Sequence, residues 1–231
     1  MKIKKLISAL VLGSMLVGLS GCNITDFSAE NLLRPPKAVG DEAEIEQLIA
    51  KTADSGYTLK YPKNGKFRSA IIMTDLDGND SNEAVAFFRN SAETSSVHML
   101  VMYSKDNSWE IASDNIFETT DIDSVDFADL TGNGKAEIIV NSTTYTPNVG
   151  KLSCYSYTEG KTNEVGSGQS CSSFVTGDFD NDGTSEIMSL VLYTTENEAL
   201  ASMLDYNEDS KSLYAKAMAN MDPNVAKYKN I

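Results

Sequence analysis

Apolar and polar positions along most of this chain alternate in short bursts rather than in helical turns. Between residues 67 and 220, brief apolar or alternating runs are separated by clusters of Asn, Asp, Gly and Ser. That pattern predicts short antiparallel strands joined by hairpins. Near the C-terminus, expected strands at 172–176 and 186–192 flank an acidic loop, and strands at 200–206 and 212–218 flank the turn Asn207-Glu208-Asp209-Ser210. Earlier, strands at 99–103 and 109–112 flank the turn Ser104-Lys105-Asp106-Asn107. One stretch, 42–51, has helical periodicity, with Ile45, Leu48 and Ile49 on one face. The N-terminus differs again. A cationic MKIKK precedes the apolar run 6–19, whose 14 residues fit a signal-peptide core and fall short of an ordinary membrane span.

The strand pattern repeats. DLDGNDSNEAV from Asp75, DLTGNGKAEII from Asp129 and DFDNDGTSEIM from Asp178 align without a gap, at spacings of 54 and 49 residues. Ile71, Val125 and Phe174 stand four residues before each first Asp, and Thr74, Ala128 and Gly177 stand immediately before it. Leu76, Leu130 and Phe179 follow it directly. A tyrosine recurs 28 residues on, as Tyr103, Tyr157 and Tyr206, and 36 residues on stand Ile111, Val165 and Tyr214. Four short strands repeated at about 50 residues match the unit of a β-propeller. The fold expected is therefore all-β: tandem four-stranded blades, three of them visible in an incomplete or open propeller, after one short N-terminal helix.

Each acidic loop has the spacing of a calcium site. In the third, Asp178, Asp180, Asp182 and Glu186 occupy positions 1, 3, 5 and 9, with Gly183 at position 6 for the reversal and the Thr184 carbonyl at position 7. Calcium takes six to eight oxygens in flexible geometry, which alternating positions of a tight loop can supply. The first loop offers Asp75, Asp77, Asn79 and Glu83 with the Ser81 carbonyl, although Asp80 replaces the glycine and Gly78 is left to take up the turn. The second has Asp129, Asn133 and Glu137 but Thr131 at position 3, which predicts a weaker site. An EF-hand is excluded, because position 12 is Ala86, Val140 or Ser189 and the flanks are strand-like. The competing reading is an Asx-rich hairpin without metal.

The D-x-D-G-N or D-x-D-N-D-G loop, the acid at position 9, the apolar pair after it and the small residue before the first Asp resemble the FG-GAP/VCBS repeats of β-propellers, a family that includes integrin α-chain blades. The resemblance covers about 67–220 and is of the degenerate kind, without the full FG and GAP signatures. It implies calcium in the hairpin between the first two strands of a blade. It implies no particular activity.

Leu19-Ser20-Gly21-Cys22 closes the apolar run and is similar to the lipobox of bacterial lipoproteins. That resemblance implies cleavage before Cys22 and a diacylglyceryl thioether on it, with palmitate-type chains holding the protein to a cell membrane, outside the cytoplasm. The expected organisation is a signal peptide (1–21), a tether (22–40) stiffened by Pro35-Pro36, a helix and leading strand (41–66), and repeats at about 67–118, 121–170 and 171–220. A tail (221–231) ends where a fourth loop is due. A longer propeller cut short, an open stack and two chains pairing into six blades all fit that ending.

Charge narrows the partners. Residues 1–21 hold three of the 19 basic residues and none of the 33 acidic ones, so the chain from Cys22 carries a formal charge of −17. Such a surface argues against nucleic acid and anionic lipid, and suits divalent cations. Export permits a disulfide between Cys154 and Cys171, and two buried thiols fit as well. His98, the one histidine, lies in an apolar strand, so no catalytic constellation forms around it. The reading is a surface-anchored, calcium-stabilised binding or scaffold module with no catalytic residues, an unidentified protein or glycan ligand and a tendency to self-associate. The alternatives are an extracellular glycan-active hydrolase or lyase and a solute-binding lipoprotein.

Overall fold

The computed structural model describes residues 40–54, 56–193 and 197–222. The signal-type run, Cys22 and the rest of the tether up to residue 39 lie outside the described residues, as does the tail beyond residue 222. Among the described residues, no helix is long and apolar enough to cross a membrane.

Helix α1 (Asp41–Ala53) starts after Gly40, which has a positive φ of 63°. Asp41, Glu42 and Glu44 fill the first turn, where the partial positive charge of the helix end favours acids. Ile45, Ile49 and Ala53 recur every four residues and are the buried face.

The strands form three antiparallel sheets, each a simple meander. The first joins β2 (Ile71–Thr74), β3 (Glu83–Asn90), β4 (Val97–Lys105) and β5 (Ser108–Phe117), and the short β1 (Tyr57–Leu59) extends β2 along the same edge of β3. The second joins β6 (Ile122–Ala128), β7 (Glu137–Thr143), β8 (Gly150–Thr158) and β9 (Lys161–Cys171). The third joins β10 (Ser173–Gly177), β11 (Glu186–Tyr193), β12 (Glu198–Asn207) and β13 (Ser212–Met221). The expected strands fall within a residue or two of these at their starts, and several run on further. The mostly-β class is thereby established, with one short helix among the described residues, whose sheets are not closed on one another.

Strand periodicity explains how the sheets stack. Successive side chains point to opposite faces. On β3, Ala84, Ala86 and Phe88 pack with α1, while Val85 and Phe87 pack with the second sheet. On β7, Ile138 and Val140 face back to the first sheet, and Ile139 faces forward to the third. On β11, Ile187 faces back to the second sheet. The order is therefore helix, first sheet, second sheet, third sheet, with an apolar layer between each pair.

The repeat is less regular in orientation than in sequence. β7 pairs Ile138 with Tyr155 and β11 pairs Ile187 with Leu204, nine and 26 residues after their first Asp, whereas β3 pairs Ala84 with Met102, nine and 27 after Asp75. The first hairpin thus carries one extra residue, and a one-residue slip turns side chains to the other face. Tyr103 consequently faces forward while Tyr157 faces back, and both end in the layer between the first two sheets.

Cys154 and Cys171 are both buried thiols in the layer between the second and third sheets, and no disulfide joins them. Burial pushes the Cys154 thiol well above its usual value, with the Glu137 charge adding to the shift.

Candidate metal centres

The three acidic loops are built alike. In each, the position-9 glutamate accepts the N–H that follows the first Asp: Leu76 to Glu83, Leu130 to Glu137 and Phe179 to Glu186, all at 2.8 Å. The first Asp accepts amides from the far side of the loop. Asp75 takes Gly78, Asn79 and Asp80; Asp129 takes Asn133 and Gly134; Asp178 takes Asp182 and Gly183. Position 5 then caps position 7, through Ser81 N–H to Asn79, Lys135 N–H to Asn133 and Thr184 N–H to Asp182. Positions 4 and 6 both adopt left-handed backbone, at Gly78 and Asp80, Gly132 and Gly134, Asn181 and Gly183. That double requirement explains the Gly, Asn and Asp at these places, since these residues tolerate positive φ best.

The loops differ at their centres. Carboxylate oxygens of Asp178, Asp180, Asp182 and Glu186 lie within 4.8 Å of one another, and so do those of Asp75, Asp77 and Glu83. Glu186 is fully buried; its Oε2 takes the Phe179 N–H, and its Oε1 has no hydrogen-bond partner. In the first loop the buried Asp77 Oδ1 is likewise unsatisfied. In the second loop the Thr131 hydroxyl, at position 3, donates to Glu137 Oε1 at 3.3 Å. Thr131 thus places a donor where the other loops have a carboxylate, and both Glu137 oxygens accept hydrogen bonds within the loop. Of the residues named for that loop, Asp129, Asn133 and Glu137 bind amides of their own hairpin.

Two features were beyond sequence reasoning. Lys216 on β13 reaches back to Asp180 of the third loop and to Asp205, the latter at 2.9 Å. It sits at the β-bulge between Ala215 and Ala217, a register slip that no local pattern announces. The loops are also stitched to one another. Ala136 N–H donates to the Leu76 carbonyl at 3.0 Å, and Ser185 N–H donates to the Asp129 carbonyl at 2.8 Å. Loop closure is therefore tied to sheet stacking.

Burial raises the Glu83 carboxyl above its ordinary value, and the charges of Asp77 and Asp75 add to that; Glu137 is raised mainly by burial and then by Asp129. Burial pushes Asp75 up too, but amides from Asp80, Gly78, Asn79 and Asp77 together hold it below the usual range. A carboxyl whose folded value is raised contributes stability that is full below its unfolded value, here 4.5, and is lost as pH rises through the folded value. In EDTA, melting temperature is expected to rise as the pH is lowered from 7 toward 5. A melting temperature that falls over that interval would contradict these assignments.

His98 lies on β4, buried, with Nδ1 2.9 Å from Asp114, Nε2 3.1 Å from Glu93 and its ring stacked on Phe88. Away from the loops, a groove of about 520 Å³ opens beside the second sheet, lined by Thr119, Thr143, Tyr145, Lys151, Tyr155 and Glu164 among others. Tyr145 is 95% exposed at its rim.

No family model matches this chain. No curated protein matches it significantly.

Proposed function

We propose that this protein is a lipid-anchored, calcium-stabilised binding or scaffold module built from propeller-type blades. The observation that carries the metal reading is the contrast between the third and second loops. Glu186 Oε1 is buried among three carboxylates without a partner, whereas the equivalent Glu137 oxygen receives a hydroxyl. An unpaired buried carboxylate oxygen is costly, and a divalent cation is the group that four converging acids fit. Asp178, Asp180, Asp182 and Glu186 hold one ion with the Thr184 carbonyl; Asp75, Asp77, Asn79 and Glu83 hold another with the Ser81 carbonyl. Calcium in this role is structural. It offsets carboxylate repulsion and stiffens loops whose N–H groups join neighbouring sheets.

The blade reading is supported by the four-stranded meanders and their face-to-face order. The anchor rests on the lipobox-like sequence ending at Cys22. A binding role is favoured over glycan hydrolysis because the conspicuous carboxylates belong to the loops and His98 is held by Asp114 and Glu93. The groove beside Tyr145, rich in hydroxyls and rimmed by an exposed ring, suits a polar ligand such as a glycan or a polar protein segment.

The test is the double substitution Asp178→Ala with Asp182→Ala. It should abolish one calcium-binding event in titration calorimetry and lower the melting temperature in calcium, while hardly changing it in EDTA. Equal losses in both buffers would mean that these carboxylates act only through the hairpin's own hydrogen bonds.

A further inference from the structure

Facing forward, the third sheet has no further sheet against it among the described residues, although Ala199 at one end of that face is buried. Ten residues after each first Asp stand Val85, Ile139 and Met188. The first two are completely buried by the next sheet, and Met188 is 39% exposed. Register defines the rest of the face. Val175, Met188, Met203 and Ala217 form one row across four strands; Ser173, Leu190, Ala201 and Ala219 form the next; Leu192, Ala199 and Met221 form a third. None of these residues is charged; the adjoining row, Gly177, Glu186, Asp205 and Tyr214, carries the acids of that face. A sheet face that met water permanently would alternate polar residues outward, as antiparallel sheets with one wet side do.

We propose that this face docks on the same face of a second copy, about a two-fold axis that lies between the two sheets, parallel to them and to the rows. The far end of the stack decides the geometry. Head-to-tail addition would need the rear face of a first sheet, and α1 already covers Ala84, Ala86, Phe88, Leu100 and Met102 there. Of the contacts between copies, forward face on forward face is what remains, and such an isologous contact closes at two copies. The rows suit it. With the axis between the first two, the methionine row of one copy lies over the alanine-rich row of the other. Of the nearest charges, Lys216, Asp180 and Asp205 pair among themselves, and Glu186 is buried in its loop, accepting the Phe179 N–H. Strands of about eight residues rising ~3.3 Å each, in four rows ~4.8 Å apart, bury roughly 500 Å² per copy, near the lower bound for a specific interface. The dimer is therefore weak and concentration-dependent.

The described residues all lie within one compact unit, so the chain from Asn23 carries the whole described fold. Its sedimentation in calcium should shift from monomer toward dimer between about 1 and 200 µM. Met188→Lys and Val175→Lys should each weaken the dimer at least about tenfold, with the melting temperature of the dilute protein unchanged. Ile116→Lys, which changes an equally exposed apolar residue on β5, should leave dimerisation intact. A monomer throughout the range would overturn the proposal. So would a dimer indifferent to both third-sheet substitutions, or association that continues past two.

Discussion

In millimolar calcium the chain should unfold at a temperature roughly 15 to 30 degrees above its melting point in EDTA, on the scale that each kcal/mol moves a domain of this size by about 2–4 °C. Binding to the folded state alone stabilises by RT ln(1 + [L]/Kd), so a thousandfold excess over Kd gives about 4 kcal/mol per site. Two sites are expected, in the first and third loops, where buried Asp77 and Glu186 oxygens lack partners. The second should contribute little, since Thr131 already serves Glu137. Magnesium at the same concentration should do much less, because it demands a tight octahedron and gives up water reluctantly. The gain should exceed what two isolated hairpins would yield, as Ala136 N–H to Leu76 and Ser185 N–H to Asp129 carry loop order into the stack. Differential scanning calorimetry in calcium, magnesium and EDTA measures it. Identical melting in all three buffers would leave the loops as metal-free acidic hairpins and remove the main support for the propeller-family reading.

What could be read from sequence, and what could not, follows from the range of the interactions. Strand positions came from alternation and turn residues, which are local, and strands such as β10 to β13 begin within two residues of where the pattern places them. The helix was equally local, with Ile45 and Ile49 one turn apart. The convergence of the loop carboxylates was legible because positions 1, 3, 5 and 9 belong to one hairpin. The facing of Tyr103 was not, because one extra residue between β3 and β4 leaves the spacing of tyrosines intact and reverses the side chain. Nor was the role of Thr131: threonine at position 3 looks like a lost ligand until its hydroxyl is seen to donate to Glu137. Lys216 meets Asp180 across 36 residues through a bulge, and no local rule places it there. The order of the sheets sits between these cases. Apolar residues on both faces of β3 and β7 mark these strands as covered on two sides, but only the assembled layers show what covers each.

Phe87→Ala should be the most damaging single substitution in the core, costing about 3–5 kcal/mol. Phe87 is completely buried on β3, beside Met99 in the register, and faces the second sheet. Its neighbours there come from two different sheets, among them Val85, Val97 and Ile138 in the same apolar layer. Those sheets are held apart by their other contacts, so the space left by the ring cannot collapse, and the cavity term adds to the lost transfer energy. Phe88→Ala offers a comparison one residue away. Phe88 points to the opposite face, packs under α1 and stacks on His98 at 4.8 Å. A helix docked on an outer face can settle into the gap more easily than a sheet can, so the loss at Phe88 should be smaller. Both losses should be similar in calcium and in EDTA, unlike that of the Asp178 and Asp182 pair, because both rings lie on β3 and neither residue belongs to an acidic loop. Urea unfolding followed by fluorescence of Trp109 measures all three variants. A loss at Phe87 below about 1 kcal/mol, or a larger loss at Phe88, would mean that the layer between the first two sheets is not the packed centre of the fold.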